Sequence, residues 1–123
     1  MATLRYVFDL DDTLCKPNHE FDDTHNKYAL ATPIHDMITA VQILMEEGHY
    51  IIIHTARRMV THDGDLEAIE ADVGQVTRDW LAQHEVPYDE LIFGKPYGDT
   101  YVDDKAMLPQ TVLIGLANHL RNK

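Results

Sequence analysis

Cysteine is almost missing from this chain: there is one, Cys15. A lone cysteine excludes an internal disulfide and any cysteine-rich zinc centre. No second Cys and no partner His stands at a recognisable spacing, so Cys15 reads as a bystander rather than a reactive thiol. Positive charge is scarce too, with 10 Lys and Arg against 21 Asp and Glu and a net charge of -11. No basic run occurs, which argues against nucleic acid as a partner, because proteins that grip a phosphate backbone present a basic face to it. The 8 histidines form no HxH or HxxxH pair, so zinc finds no histidine scaffold. No apolar run reaches the roughly 18–20 residues that a membrane helix requires, and no signal-peptide core precedes the first strand-like run. The expectation is a cytoplasmic protein without a membrane partner.

What remains is ordinary globular material, 45% hydrophobic and 25% charged over 123 residues. That length has room for one core and none for a separate cap, so a single domain over residues 1–123 is expected. Leu4–Phe8 is a short apolar run of β-formers that ends abruptly in carboxylates. Cys15 to Ala31 is polar and irregular and reads as a loop or flap. Thr32-Pro33 has the form of a helix start, with Thr as N-cap and Pro at the first helical position. Ile34, Met37, Ile38, Val41, Leu44 and Met45 then recur at helical spacing up to Gly48. Tyr50–Ile53 is a continuous β-branched strand, as expected where both faces are covered. A second helix is expected from about Leu66, or later because of Gly74, to His84. Glu90–Phe93 and Thr100–Val102 read as further strands, and Gln110–Arg121 as a closing helix. Strands alternating with helices imply an α/β fold: a three-layer, Rossmann-like parallel sheet with helices on both faces and no large cap domain.

In such sheets ligands collect at the carboxyl ends of the strands, and the polar residues of this chain follow its strands. The first ends in Asp9-Leu10-Asp11-Asp12-Thr13, the second in His54-Thr55-Ala56-Arg57, the third leads to Lys95, and the fourth ends in Asp103-Asp104. Carboxylates, a hydroxyl, an ammonium and more carboxylates on one edge suit phosphoryl chemistry. A carboxylate attacking a phosphate dianion meets repulsion on the order of 4 kcal/mol per charge pair at 4 Å and an effective dielectric near 20. Compensating positive charge is therefore required. A divalent cation on oxygen ligands supplies most of it, and magnesium favours one or two carboxylates plus substrate phosphate. Lys95 adds a point charge. Asp9 and Asp11, two residues apart at a strand end, can face one site and divide the roles of ionised nucleophile and proton donor. Thr55 offers a hydroxyl and Arg57 a planar fork to substrate anions.

These residues resemble the four motifs of the haloacid dehalogenase-like (HAD) superfamily: DxDx[TV], a Thr or Ser, a Lys, and an acidic pair, here in order from Arg5 to about Pro109. Within it the chain looks most like small phosphatases encoded with capsule-biosynthesis genes, through HTARRM followed by HDG, DWLAQHEVPYDELIFGKP, and YVDD. A weaker similarity is to the 3′-phosphatase domain of polynucleotide kinase. The resemblance implies a Mg2+-dependent phosphomonoesterase working through an aspartyl-phosphate. Asp9 would be nucleophile and metal ligand, and Asp11 acid/base and metal ligand through its main-chain carbonyl. Thr55 and Lys95 would stabilise the phosphate. Thr13, Arg57 and Asp103 would bind substrate, and Asp104 would be the further metal carboxylate, with Asp103 as the alternative ligand. Asp12 stands where many members have Gly. His62, Asp63 and Asp65 fall in the loop after Arg57, within reach of a leaving group.

The substrate expected is a small sugar-linked or nucleotide-linked phosphate. The alternatives are a polynucleotide end-healing 3′-phosphatase, against which the charge counts, and, from a non-enzyme class, a phospho-accepting signalling domain. The latter carries its acceptor Asp after a middle strand, where this chain has His-Thr-Ala-Arg. Without a cap, specificity falls to the flap, the Arg58–Asp65 loop or a neighbouring subunit, and a homo-oligomer is expected.

Overall fold

The structure, a computed structural model, describes residues 3–122. Three parallel strands form its sheet: β1 (Arg5–Phe8), β4 (Tyr50–Thr55) and β5 (Glu90–Phe93), in the order β1-β4-β5. Register places Phe8 beside Ile53 and Ile53 beside Leu91. Between β1 and β4 lie β2 (Cys15–Lys16), α1 (Thr24–Ala29), β3 (Thr32–Pro33) and α2 (His35–Glu46). Between β4 and β5 lie α3 (Leu66–Ile69), a π-helical turn (Glu70–Gly74) and α4 (Gln75–Gln83), and α5 (Pro109–Arg121) closes the chain. The result is a parallel sheet flanked by helices with no large cap.

Both crossovers step across the sheet in one direction, so right-handed connections put α2 and α4 over the same face. The core shows this: Ile51 and Ile53 of β4 pack with Met37, Ile38 and Val41 of α2 and with Trp80 and Leu81 of α4. The opposite face carries Val7, Ile52, His54 and Ile92, half-buried or exposed, with Val7 61% accessible. β4 therefore alternates in burial, where continuous cover was expected from its unbroken β-branched run. Trp80 sets the depth of α4 by donating its indole N–H to the Ala31 carbonyl, 2.9 Å away, beneath the flap.

Three local expectations are corrected. The segment 15–31 contains a helix, because Asp23 caps it by accepting from the Asn26 N–H at 3.0 Å and Tyr28 buries its ring against the body. Thr32-Pro33 does not start α2; it pairs antiparallel with Cys15-Lys16 to close the base of the flap, and α2 begins at His35. Proline suits that short edge ladder because it has no N–H to leave unbonded. Thr100–Val102 is not a strand. Only Gly94–Asp99 separates it from the end of β5, and a parallel crossover needs a dozen or more residues. Residues 97–108 instead run as an exposed arm, with Val102 95% accessible. Among the described residues β1 consequently pairs with β4 alone in the main sheet, and its other edge is open.

Candidate active site

The turn after β1 is built around one carbonyl. Thr13, Leu14 and Cys15 all direct their N–H groups to Leu10 O, at 3.2, 2.8 and 3.3 Å, while Leu10 and Leu14 are fully buried anchors. The chain reverses at Asp12, whose φ is +66°. That left-handed value is one only Gly, Asn and Asp visit readily, which explains both the glycine common at this place and the aspartate here. The turn presents Asp9 and Asp11 to a pocket of about 450 Å³ that Thr55, Arg57, Tyr28 and Tyr101 also line.

Asp9 lies 3.5 Å from the Lys95 ammonium. Lys95 is placed by its own N–H, which donates to Thr55 O at 3.1 Å, and by Gly94, whose φ of +98° bends the chain out of β5. That left-handed φ favours glycine, and a side chain there would also press on Leu66 Cδ2 at 2.8 Å. The Lys95 ammonium also sits 4.3 Å above the Tyr101 ring. Thr55 is 1% exposed and accepts from the Arg57 N–H at 3.1 Å, fixing the turn after β4. His54 points to the other face, and burial, then the Lys95 charge, holds it more firmly neutral than an ordinary histidine.

Arg57 is wholly committed. Its Nε donates to both Asp11 carboxylate oxygens at 3.1 and 3.0 Å, one terminal nitrogen donates to Asp11 Oδ1 at 2.8 Å, and the other donates to Thr77 Oγ1 at 2.9 Å. Tyr28 of α1 stacks its ring 4.0 Å from the guanidinium carbon. Burial disfavours this charge, but the bonds to Asp11 and the Asp11 charge outweigh it and raise the arginine above its usual range. Cys15 lies in the same packing; burial, then the neighbouring Asp11 charge, pushes its thiol up to about 12.

The residues singled out from sequence thus separate. Asp9, Asp11, Thr55 and Arg57 share one pocket, with Lys95 paired to Asp9. Thr13 faces the groove along β1 instead, with Asp9 lining both. Asp103 and Asp104 stand on the exposed arm; Asp103 accepts from the Lys105 N–H at 2.9 Å, and Asp104 pairs with the Lys105 ammonium at 3.6 Å. Of the loop residues, His62 bonds Asp72 at 2.8 Å and Asp65 caps α3, so both have structural partners. Sequence reasoning missed Tyr28, Thr77 and Asp72. Thr77 had only its place among apolar neighbours on α4 to mark it, a hydroxyl in a core stripe that needs a partner.

Magnesium fits these residues incompletely. Asp9 would supply a carboxylate and Asp11 its main-chain carbonyl, since the Asp11 carboxylate itself is engaged by Arg57. Among the described residues no three His, Cys, Asp or Glu side chains converge on a point. One chain by itself offers half of a hard-cation site.

No family model and no curated protein matches the chain. Solved structures do. A crystallised target protein from Vibrio cholerae is 28% identical over 98% of both chains, with a TM-score of 0.79. A chain of the Pnkp1/Rnl/Hen1 RNA repair complex is 14% identical, TM-score 0.53, over 95% of this chain and 32% of that one. D,D-heptose 1.7-bisphosphate phosphatase from B. bronchiseptica, complexed with magnesium and phosphate, is 15% identical, TM-score 0.50, over 98% of this chain and 63% of that one. The fold is HAD-like, and it is one that phosphatases use. No helix among the described residues is long and apolar enough to cross a membrane.

Proposed function

We propose that the chain is a phosphomonoesterase in which Asp9 carries the phosphoryl group. The observation that carries this reading is the pairing of Asp9 with Lys95 at the mouth of a pocket that also holds Asp11 and Thr55, at the carboxyl ends of β1 and β4. An Asp9 oxygen attacks phosphorus as the ester P–O bond breaks, giving an aspartyl-phosphate and an alcohol. Asp11 serves the proton transfers: one to the leaving oxygen, and one from the water that later cleaves the acyl-phosphate bond and restores Asp9. Lys95 and the Thr55 hydroxyl offset charge on the phosphoryl oxygens. Magnesium, when bound, would supply further charge neutralisation beside Asp9. A pocket of about 450 Å³ is in the size range of small-molecule sites, and the net charge of -11 favours a small phosphate over a polynucleotide. We place the substrate among sugar-linked or nucleotide-linked monophosphates, in keeping with the capsule-phosphatase resemblance, and read residues 1–123 as one catalytic domain working in the cytoplasm.

The test is hydrolysis of para-nitrophenyl phosphate with magnesium, by the wild type and by Asp9→Asn. Loss on substitution is expected; activity that survives it removes Asp9 from the nucleophile's role. Phosphate release from sugar and nucleotide monophosphates, set against a 3′-phosphorylated oligonucleotide, then assigns the substrate class.

A further inference from the structure

Among the described residues Asp103 borders one groove with Asp9 and Lys95, but no three acidic side chains close on a point, and the edge of β1 beside Asp9 is open. Along that edge, between β1, α2, the arm and α5, runs a groove of about 1370 Å³. Tyr6, Val7, Phe8, Asp9 and Lys95 are among the residues that line it. The groove has the shape of a missing strand, and the arm has the composition of one: Thr100, Tyr101 and Val102, ending in Asp103-Asp104.

The chain's own arm does not reach. For Asp103 to stand level with Asp9, Thr100 must lie beside Tyr6. Lys95 is pinned by its bond to Thr55 O, on the far side of β1. From there Thr100 would need to travel about 14 Å sideways, three strand spacings, and about 16 Å back along the strands. That is roughly 21 Å straight through the sheet, whereas the five links from Lys95 to Thr100 span at most about 18 Å fully extended. The link is not extended either: Tyr101 folds back on it, its hydroxyl donating to Pro96 O at 2.6 Å and accepting from the Gly98 N–H at 3.2 Å.

We propose that the open edge of β1 receives the arm of a second copy of this chain, so that each active site is completed by Asp103 and Asp104 of the partner subunit. The charges match this occupant. The arm from Tyr97 to Leu108 carries three aspartates and one lysine, and Arg5 and Lys95 line the groove that would receive it, alongside Asp9 and Glu47. Strand addition bonds the exposed N–H and C=O groups of β1 and covers Val102, which is 95% exposed in the single chain. The exchange is reciprocal, so it closes as a two-fold dimer with two equivalent sites. Each then holds Asp9 and Asp11 from one chain with the partner's acidic pair, the oxygen-donor set that one chain lacks. The catalytic consequence rests on the phosphatase reading; the exchange itself does not.

Two measurements test the two parts separately. Chains bearing Val7→Cys and chains bearing Tyr101→Cys, the positions this register sets side by side on one face, are mixed, allowed to reassociate and oxidised; Cys15 is buried and stays out of the reaction. A covalent dimer joining one chain of each kind is expected. Only monomers, or a bond that forms only when both substitutions sit on one chain, overturns the exchange. Second, Asp9→Asn chains are mixed with chains carrying Asp103→Asn and Asp104→Asn, each inactive alone. Random reassociation restores one intact site in half of the dimers, about a quarter of wild-type activity. No restoration, with the cross-link formed and the wild type active, leaves the exchange standing and withdraws the shared site. A wild type without phosphatase activity overturns the functional reading while the cross-link still decides the exchange.

Discussion

Arg57 sits at the place where a substrate fork was expected, and its bonding gives it a different task. Every nitrogen is spent on Asp11 or Thr77, and the side chain has no exposed surface. It holds the Asp11 carboxylate still and has no nitrogen free for a substrate anion, which under the proposed function makes it a positioning residue. Arg57→Ala should therefore lower kcat by roughly 100-fold through misplacement of Asp11, while KM and inhibition by inorganic phosphate change little. Loss of a buried partner should also cost about 3 kcal/mol of stability, read by urea unfolding. A large rise in KM and in the phosphate inhibition constant, with kcat kept, would return Arg57 to the substrate. Cys15 gives a second residue-scale expectation. Its thiol is raised from 9.0 to about 12 by burial and the Asp11 charge. The folded state thus holds this proton more tightly than the unfolded chain. Its contribution is complete below about pH 9 and falls away as pH rises toward 12. Alkaline unfolding should shift to higher pH in Cys15→Ala relative to that protein's own neutral stability, and Ellman's reagent should find no reactive thiol in the folded protein at pH 8.

Elements show best what was legible in the sequence and what was not. The β1 and β4 runs and the α2 stripe were readable as elements because apolar runs and helical periodicity report directly on element type, although the burial of β4 alternates where its run implied continuous cover. The flap and the fourth strand were not. Two-residue ladders such as β2–β3 have no periodicity to read, and Thr100–Val102 has strand composition without the chain length to use it within its own sheet. The site divided likewise: the acids after β1 follow from strand ends, whereas the Asp11–Arg57–Thr77 network joins three elements far apart in sequence. Gly94→Ala should cost about 1–2 kcal/mol from the left-handed backbone alone, and more activity than stability, since it displaces Lys95. The loop after β4 is tied to the π-turn by Asp72, which accepts from Arg58 Nε at 2.9 Å and bonds His62 at 2.8 Å. Burial works against the Asp72 charge, but these bonds prevail and hold its carboxyl below the usual 3.8. The clasp should therefore stabilise fully above that value and fail as pH drops through the lower, folded-state one. Asp72→Asn should lower Tm at pH 7 by an amount worth about 1 kcal/mol, and the difference should vanish in strong acid.

At the scale of the whole molecule, the open edge of β1 and an arm too short to close it make the chain depend on a second copy under the proposed exchange. Activity per chain should fall on dilution as dimers separate, with a midpoint matching the dissociation constant from sedimentation equilibrium. Activity strictly proportional to concentration through that midpoint would count against a shared site.

Trp80 is the only tryptophan, bonded to the carbonyl of Ala31 at the foot of the flap and stacked on His84 at 4.4 Å. Its emission consequently reports on the foot of the flap, because a shift of the segment carrying Ala31 alters the indole's surroundings. Titration of a candidate ligand could be followed by fluorescence with no label and no engineered probe.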